Sequence, residues 1–456
     1  MNTYNSLAIP NAKDLSFGVA PIPLKCGFGL NVGGGLVYPE LNFTLPTMAI
    51  DETTWKSVLA EYDEIGTMLV SAAGRLRLPG LMVEFELLPP MTQNPRWGAE
   101  ITELLHRFLG ELNTKHNIPC ALRVTPTDIR DMTRPPVLRS GRPWDLLCES
   151  IDACAGAGAD VISIESVGGK EVHDESLLYG DVAGMIFALG VLAPRDMEFL
   201  WRRIVDICGR HNVVPGADSA CGFANTAMQL ASQGMVSEVL AAVVRAASAV
   251  RSLVAYECGA RGPSKDCAYE GPVIKAITGT PIAMEGKSAS CAHFSPVGNV
   301  AAAMCDLWSN ESVQNVRLLS GSAPEAFLEL LAYDCRLFNQ AIEKGTAGMY
   351  QELLVDSDIT LSPQALVLSP ESTIRIASAI VAEKTPYHRT IAAAREAFRI
   401  IKDALAAGRL LVNQRESNWV DKIAKALDGL PAEEDVLTGQ MVDQYSHLFS
   451  PASYDL

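Results

Sequence analysis

The sequence predicts an α/β protein organised as a (β/α)8 (TIM) barrel with appended segments. The main observation is a repeated alternation of helical patterns with short apolar runs, which is typical of βαβ units and a parallel sheet. The second is length, because 456 residues exceed the roughly 250 residues of a simple barrel. We therefore expect an irregular segment over residues 1–50, the barrel over residues 51–355 and a helical extension over residues 356–456.

The alternation begins near residue 52 and predicts seven strands, each preceded by a helix. The predicted strands lie at residues 81–86, 120–125, 160–165, 213–218, 252–257, 281–285 and 315–320. The helices before them are predicted at residues 54–73, 100–115, 144–155, 196–209, 238–250, 273–278 and 300–309. Residues 365–368 are a weaker eighth strand. This number favours a closed barrel over a doubly wound sheet, whose nucleotide fingerprint the sequence lacks.

Both ends of the chain depart from this repeat. Residues 1–50 are rich in proline and glycine, and residues 27–35 miss the G-x-G-x-x-G fingerprint because Val32 stands where the third glycine would fall. We interpret that segment as a loop covering one end of the barrel. Beyond residue 355, apolar residues recur at helical spacing over 391–405 and 418–427. This pattern predicts a helical cap that serves partner or dimer contacts.

Composition excludes several classes of protein. Hydrophobic residues make up 48% and charged residues 20% of the chain, which indicates a globular protein. The formal charge of −16 and the lack of a long Lys/Arg cluster argue against nucleic acid as a partner. The N-terminus lacks a signal-peptide pattern, and the apolar stretch 239–256 contains Arg245 and Arg251. We therefore expect a soluble, cytoplasmic protein without a membrane span.

The eleven cysteines are expected to be free thiols or metal ligands, because the cytosol keeps disulfides reduced. Five of them lie in helical patterns and are interpreted as packing residues: Cys148, Cys154, Cys208, Cys305 and Cys335. The cysteines of greater chemical interest lie in turns that follow predicted strands.

Three side chains suited to metal binding follow neighbouring strands of the predicted barrel. Glu165 ends the third predicted strand, Cys221 follows the fourth by three residues, and Cys267 lies in the turn after the fifth. Loops at the carboxyl ends of barrel strands converge on one patch, where the chemistry of such barrels lies. Two thiolates and a carboxylate suit Zn²⁺, and three protein ligands leave a fourth position for a substrate. Their wide spacing along the chain leaves open that they are unrelated loop residues.

Other residues near the predicted site have two interpretations each. His293, Cys291 and Cys258 are candidates for a fourth ligand or a proton donor, or else line the loops as polar residues. Asp218, at the end of the fourth predicted strand, is a candidate for handling protons or supporting the ligands. These roles need side-chain geometry to separate them.

Charged residues within the predicted strands need a partner or a function if they face the interior. Of Glu84 and Glu86, in the first predicted strand, we expect one to point into the barrel and the other outward. Arg123, in the second strand, is a candidate partner. The pair would either support the strands or take part in catalysis.

Several segments, matching in order over nearly the whole chain, resemble the zinc-bearing subunit of the methanol:corrinoid methyltransferases. The three candidate ligands lie within residues 163–172, 221–228 and 262–270. Further matching segments are residues 27–43, 97–100, 251–257, 275–279, 284–287, 291–293, 308–312 and 331–335. The chain departs from the family pattern at Ala220, where the family has an acidic residue, and at Ser264 and Ala268, where it has glycine.

The resemblance implies a TIM barrel that binds zinc through one Glu and two Cys, which correspond to Glu165, Cys221 and Cys267. It also implies methanol as the methyl donor and a small corrinoid protein as the partner, in a heterotetramer built on a homodimer of the barrel subunit. The sequence lacks the D-x-H-x-x-G run of corrinoid-binding domains, so the corrinoid is expected on the partner. The departures leave a methoxylated compound open as an alternative donor.

The expected reaction is attack of a Co(I) corrinoid on the methyl carbon, while zinc polarises the C–O bond. Two other classes remain to be weighed. A zinc-dependent hydrolase on such a barrel would normally need several histidines, often as H-x-H, whereas none of the seven histidines is so spaced. A non-catalytic scaffold for a corrinoid protein would bind no metal tightly.

Overall fold

The structure is a computed structural model that describes residues 3–44, 48–265, 267, 269–286, 297–313, 317–318, 321–410 and 412–456. The strands are β1 (Val19–Cys26), β2 (Leu30–Gly34), β3 (Tyr38–Thr44), β4 (Leu81–Leu87), β5 (Cys120–Pro126), β6 (Val161–Ile164), β7 (Val214–Asp218), β8 (Ala283–Glu285), β9 (Leu307–Val313), β10 (Arg317–Leu318) and β11 (Gly321–Ser322).

The first ten helices are α1 (Trp55–Leu76), α2 (Pro89–Thr92), α3 (Pro95–His116), α4 (Arg142–Gly156), α5 (Lys170–Tyr179), α6 (Val182–Phe187), α7 (Ala193–His211), α8 (Thr226–Ser232), α9 (Glu238–Cys258) and α10 (Gly271–Thr278). The others are α11 (Gly298–Ala302), α12 (Ala323–Glu343), α13 (Ala347–Asp358), α14 (Pro363–Leu368), α15 (Pro370–Val381), α16 (Pro386–Ala406), α17 (Gln414–Asp428) and α18 (Glu434–Tyr445). Two π-helical turns, Ala188–Leu192 and Cys221–Asn225, precede α7 and α8.

Seven strands form one parallel sheet in the order β7-β6-β5-β4-β3-β9-β8. β3, the first of these strands along the chain, lies inside the sheet between its successor β4 and the late strand β9. Beyond β7, the backbone amides of Arg261 and Gly262 donate to the carbonyls of Pro215 and Gly216 at 2.8 and 2.7 Å. The expected mixed α/β architecture with a parallel sheet is confirmed.

An antiparallel hairpin, β1–β2, packs against the amino-terminal ends of the sheet strands. One buried cluster contains a residue from each of the seven strands, Tyr38, Met82, Ala121, Val161, Val214, Ala283 and Leu307, together with Leu24, Cys26, Leu30 and Val32 of the hairpin. These apolar contacts agree with the expectation that residues 27–35 cover one end of the sheet. The hairpin therefore leaves the carboxyl ends of the strands uncovered, and the polar groups of the site lie at that end.

Five predicted strands, 81–86, 120–125, 160–165, 213–218 and 281–285, correspond to β4, β5, β6, β7 and β8. Two predictions are wrong, because residues 252–257 belong to α9 and residues 365–368 belong to α14. Of the strand predicted at residues 315–320, only residues 317–318 are described, and they form β10 in a separate two-stranded sheet, whereas β9 is the strand that follows β8 in the main sheet. The start of β9 lies inside the helix predicted at residues 300–309, and its polar residues Ser309 and Asn310, although buried, interrupt the apolar run expected of a buried strand.

The prediction for residues 252–257 failed because α9 is buried on every side. All its residues from Val239 to Glu257 are buried, so the apolar run at residues 252–257 has no exposed polar face that would distinguish a helix from a buried strand. Helices α7, α8, α14, α16 and α17 pack around it. By length and composition alone α9 could cross a membrane, but the apolar window lies wholly inside the protein, as in the core helix of a globular domain.

The expected irregular segment over residues 1–50 is wrong from Val19 to Thr44, which form β1, β2 and β3. Pro39 and the buried polar residues Glu40 and Asn42 made β3 resemble a loop. The helical signals beyond residue 355 correspond to α14–α18. The domain boundaries at residues 50 and 355 remain a prediction.

The C-terminal helices are joined to the core by a buried ion pair. Arg389 of α16 lies 2.7 Å from Glu257 at the end of α9, and it also donates to the carbonyls of Glu383 and Tyr4 at 3.0 and 3.1 Å. Both side chains of the pair are less than a tenth exposed. The pair therefore fixes α16 against the helix that runs behind the site.

Arg389→Ala should lower the free energy of unfolding by about 3–5 kcal/mol, because it leaves a buried carboxylate without its partner. Urea unfolding followed by circular dichroism measures the change. The control is Arg399→Ala on the same helix, whose side chain is 64% exposed and whose ion pair should contribute less than about 1 kcal/mol. Equal small losses for the two variants would contradict this account of how α16 is held.

Candidate metal centre

The structure brings Glu165, Cys221 and Cys267 together at the carboxyl end of the sheet. Glu165 follows β6 directly and its backbone bridges to Thr127 beyond β5. Cys221 begins the π-helical turn after β7, and Cys267 lies in the segment between α9 and α10. One donor atom from each of the three residues lies within 4.8 Å of the others.

The separations among the donor atoms suit a tetrahedral ion. In a zinc site, bonds of about 2.3 Å to sulfur and 2.1 Å to oxygen place neighbouring donors about 3.6–3.8 Å apart. Here the Cys267 thiol lies 3.0 Å from Glu165 Oε1, and all three donors fall within 4.8 Å. Two sulfurs and one carboxylate oxygen are also a donor set that Zn²⁺ accepts. The residues therefore fit a zinc ion with one position left for another ligand.

The surroundings of the thiols oppose their ionisation. The hydrogen bond with Cys221, followed by burial, raises the pKa of Cys267 well above its ordinary value. For Cys221 the hydrogen bond with Cys267 favours the thiolate, but burial and the Glu165 carboxylate outweigh it and raise the pKa to about 11. Since metal ligands must be deprotonated, a divalent cation here would supply the charge that favours both thiolates.

Lys265 is a cation that contacts two of the three donors. Its ammonium group lies 2.7 Å from Glu86, 3.3 Å from Glu165 and 3.4 Å from Glu84, and it also donates to Cys267 Sγ at 3.9 Å. The side chain is only 2% exposed. Lys265 therefore holds Glu165 in place and balances part of the negative charge at the site.

Glu84 and Glu86 reach the same ammonium group, so the expectation that they point in opposite directions is wrong. Residues two apart on a strand share a face, because successive side chains alternate. Arg123 does approach Glu84, at 3.9 Å, but its closer partner is Glu40 at 2.8 Å. Both partners of that closer pair are fully buried.

Arg123 also fixes the segment that carries Cys267. Its guanidinium donates to Ser163 Oγ of β6 at 3.0 Å and to the carbonyls of Pro263 and Ser264 at 3.1 and 2.9 Å. It thereby connects β3, through Glu40, with the residues just before Lys265 and Cys267. These contacts favour the interpretation that Arg123 supports the strands and the Cys267 segment.

Asp218 is held by groups that donate to its carboxylate. Arg251 and the backbone amide of Ser166 donate to Oδ1 at 3.1 and 3.3 Å, and Trp201 Nε1 donates to Oδ2 at 3.1 Å. Arg251 also donates to the carbonyl of Ser219 at 2.9 Å. The Asp218–Arg251 pair thus joins the residue after Glu165 to the loop before Cys221, which is a positioning role. Proton transfer by Asp218 remains a prediction.

A sequence model of the methanol-cobalamin methyltransferase B subunit family, MtaB, matches residues 1–455. The chain belongs to this family. It is 36% identical, over 99% of its own length and 98% of the relative's, to the methanol–corrinoid protein co-methyltransferase of Methanosarcina barkeri (strain Fusaro / DSM 804). The crystal structure of the methanol:cobalamin methyltransferase complex MtaBC from Methanosarcina barkeri contains a chain 35% identical to this one, with a TM-score of 0.96 over the full length of both chains. The resemblance inferred from sequence segments is confirmed.

In this member of the methanol-cobalamin methyltransferase B subunit family, sequence reasoning missed the residues that support the donors. Lys265 and Arg251 are the clearest cases, and a signal for Arg251 existed, because a charge inside an apolar run must be paired or functional. Lys265 had no such signal, since its partners come from β4 and β6. Cys258 lies at the end of α9 and is not among the three clustered residues. His293 and Cys291 lie outside the described residues.

Asp218→Asn should lower the free energy of unfolding by about 3–5 kcal/mol, because it leaves the buried Arg251 without a counter-charge. Turnover per folded, metal-loaded chain should fall by less than about tenfold, in the lower range of supporting residues. The control is Asp152→Asn, which removes a carboxylate that is 41% exposed. Unchanged stability combined with abolished turnover would instead assign Asp218 to proton transfer.

Proposed function

We propose that this chain transfers the methyl group of methanol to the corrinoid of a partner protein, using zinc held by Glu165, Cys221 and Cys267. The observation that carries the proposal is the convergence of these three donors at the carboxyl end of the parallel sheet. Membership of the methanol-cobalamin methyltransferase B subunit family over residues 1–455 supports the reaction class. The donor chemistry supports zinc.

When bound, zinc supplies Lewis acidity to the oxygen that must leave the methyl group. The overall reaction breaks the C–O bond of methanol and forms a C–Co bond, so the oxygen has to gain a proton to leave as water. The protein's own contribution is to fix the donors and to limit water around them. Cys267 is buried, and Lys265 and the Asp218–Arg251 pair restrain the loops that carry the ligands. Such restraint reduces the reorganisation that the reaction needs.

We propose that the corrinoid partner docks over the carboxyl ends of the strands, in a heterotetramer built on a homodimer of this chain. The hairpin β1–β2 covers the opposite end, so the donors face the end that is free of it. A full-length TM-score of 0.96 to a chain of the MtaBC complex supports the same mode of assembly. The reducing cytoplasm, proposed as the location, would preserve the thiol ligands.

We also propose that the sheet closes as a complete (β/α)8 barrel in which residues 261–265 occupy the remaining strand position. Two backbone hydrogen bonds attach this segment to β7. On its other side, a Cβ added to Gly262 would lie 2.8 Å from the carbonyl of Pro281, just before β8. The segment therefore lies beside β7 at one edge of the seven-stranded sheet and close to Pro281, which precedes β8 at the other edge. The helices beyond residue 355 form the C-terminal extension of this barrel.

The purified chain should contain about one zinc per polypeptide, and Cys221→Ser and Cys267→Ser should each lose most of it, since a hydroxyl is a far poorer zinc ligand than a thiolate. Inductively coupled plasma mass spectrometry after exhaustive dialysis measures the content. Cys258→Ser is the matched control and should keep its zinc. Absence of tightly bound metal would favour a non-catalytic scaffold for a corrinoid protein. Equal zinc content in the unmodified chain and the three serine variants would show that the ion binds elsewhere.

Methyl transfer should proceed with methanol when the chain is mixed with a corrinoid protein reduced to Co(I), and the cobalt absorption spectrum should report methylcobalt formation. Cys267→Ser should reduce the rate by at least about tenfold, since even the loss of a residue that supports a metal ligand costs about tenfold to a hundredfold. Methoxylated aromatic compounds in parallel reactions test the alternative donor. A faster reaction with those compounds than with methanol would overturn methanol as the substrate. The absence of any reaction with every donor would contradict the proposed methyltransferase activity.

A further inference from the structure

The sulfur of Cys221 receives a hydrogen bond from a side-chain amide. Asn225 Nδ2 lies 3.4 Å from Cys221 Sγ. Asn225 is the last residue of the π-helical turn that Cys221 begins, so the two are separated by one turn, and it is only 5% exposed. The contact concerns a sulfur that the proposed zinc site uses.

The orientation of this amide is fixed by an arginine. Arg245 Nη2 lies 3.4 Å from Asn225 Oδ1. A guanidinium group can only donate hydrogen bonds, so the oxygen of the amide must face Arg245. The NH₂ group must then face Cys221, which makes the sulfur the acceptor. This settles the amide orientation, which distances alone leave ambiguous.

Arg245 is in turn oriented from the C-terminal helices. Its Nε and Nη2 donate to Gln364 Oε1 of α14 at 3.1 and 3.0 Å, and its guanidinium lies 5.0 Å from the centre of the Tyr269 ring. Arg245 and Gln364 are 2% and 3% exposed. Burial lowers the pKa of Arg245 to about 10, with the charges of Glu270 and Cys221 opposing the shift, so the group is positively charged at neutral pH.

We propose that Gln364, Arg245 and Asn225 form a relay of positioning residues that weakens the electron donation of the Cys221 thiolate and so strengthens the Lewis acidity of the bound metal. The proposal rests on the zinc site proposed above. Two thiolates and one carboxylate give a dication a net charge of −1, which works against Lewis acidity. An N–H···S bond from a donor backed by a buried positive charge draws electron density from one sulfur. The C-terminal extension thus influences the metal ligand Cys221 through the hydrogen bonds that join Gln364, Arg245 and Asn225 to it.

The test uses the protein with Co²⁺ in place of zinc, because sulfur-to-cobalt charge-transfer absorption reports the donor strength of the thiolates. Asn225→Leu should shift that band to longer wavelength and lower the methyl-transfer rate about tenfold, as typical for residues that support a metal ligand. Gln364→Met, which removes the acceptor for Arg245, should shift the band in the same direction. Gln364→Glu keeps an acceptor oxygen for Arg245 but places a negative charge beside it, so its band should lie between those of the unmodified chain and Gln364→Met.

Gln229→Leu is the matched control, since Gln229 lies one turn beyond Asn225 and its amide nitrogen has no hydrogen-bond partner among the described residues. It should leave both band and rate unchanged. An unshifted band in Asn225→Leu and Gln364→Met, with one cobalt still bound per chain, would overturn the relay while leaving the metal site intact. Failure of the unmodified chain to bind cobalt or zinc would instead overturn the proposed function.

Discussion

Mutual repulsion among three acidic groups is the constraint on which the rest of this structure depends. Glu165, Cys221 and Cys267 place their donor atoms within 4.8 Å of one another. At an effective dielectric constant near 20, two like charges 4 Å apart cost about 4 kcal/mol. All three groups can therefore be ionised together only if nearby positive charge offsets that cost, because otherwise the raised pKa values of Cys221 and Cys267 keep both thiols protonated. A divalent cation would do so directly, and the protein adds buried cations of its own around it.

Each of those buried cations requires partners, and this requirement explains much of the polar interior. Lys265 faces Glu165 and is bound also by Glu84 and Glu86. Arg251 is paired with Asp218 behind the loops. Arg245 reaches Gln364 on α14, so the C-terminal helices that bury α9 also complete the surroundings of the site. These buried charges and Gln364 of the helical extension therefore support one site.

Much of the sheet could be predicted from local sequence patterns, whereas the three donors were assigned together through the resemblance to the family, since the strand predicted before Cys267 is the end of α9. Strands buried on both faces form mainly apolar runs, as in β5 and β6, and barrel loops place chemistry after such runs. Elements with polar interior residues, such as β3 with Glu40, lack that pattern. The last residues of the buried α9, 252–257, form an apolar run that fits a strand as well as a helix. The supporting contacts of Lys265 join separate strands, so only the folded arrangement reveals them.

X-ray absorption at the zinc edge of the purified chain tests the central claim most directly, because it identifies the atoms around the ion without relying on activity. The account predicts two sulfur neighbours at about 2.3 Å and oxygen neighbours at about 2.0–2.2 Å, from Cys221, Cys267, Glu165 and one further ligand. Cys221→Ser should remove one sulfur from any zinc that remains bound. A spectrum without sulfur neighbours, or one that Cys221→Ser leaves unchanged, would contradict the assignment of these residues as the metal site.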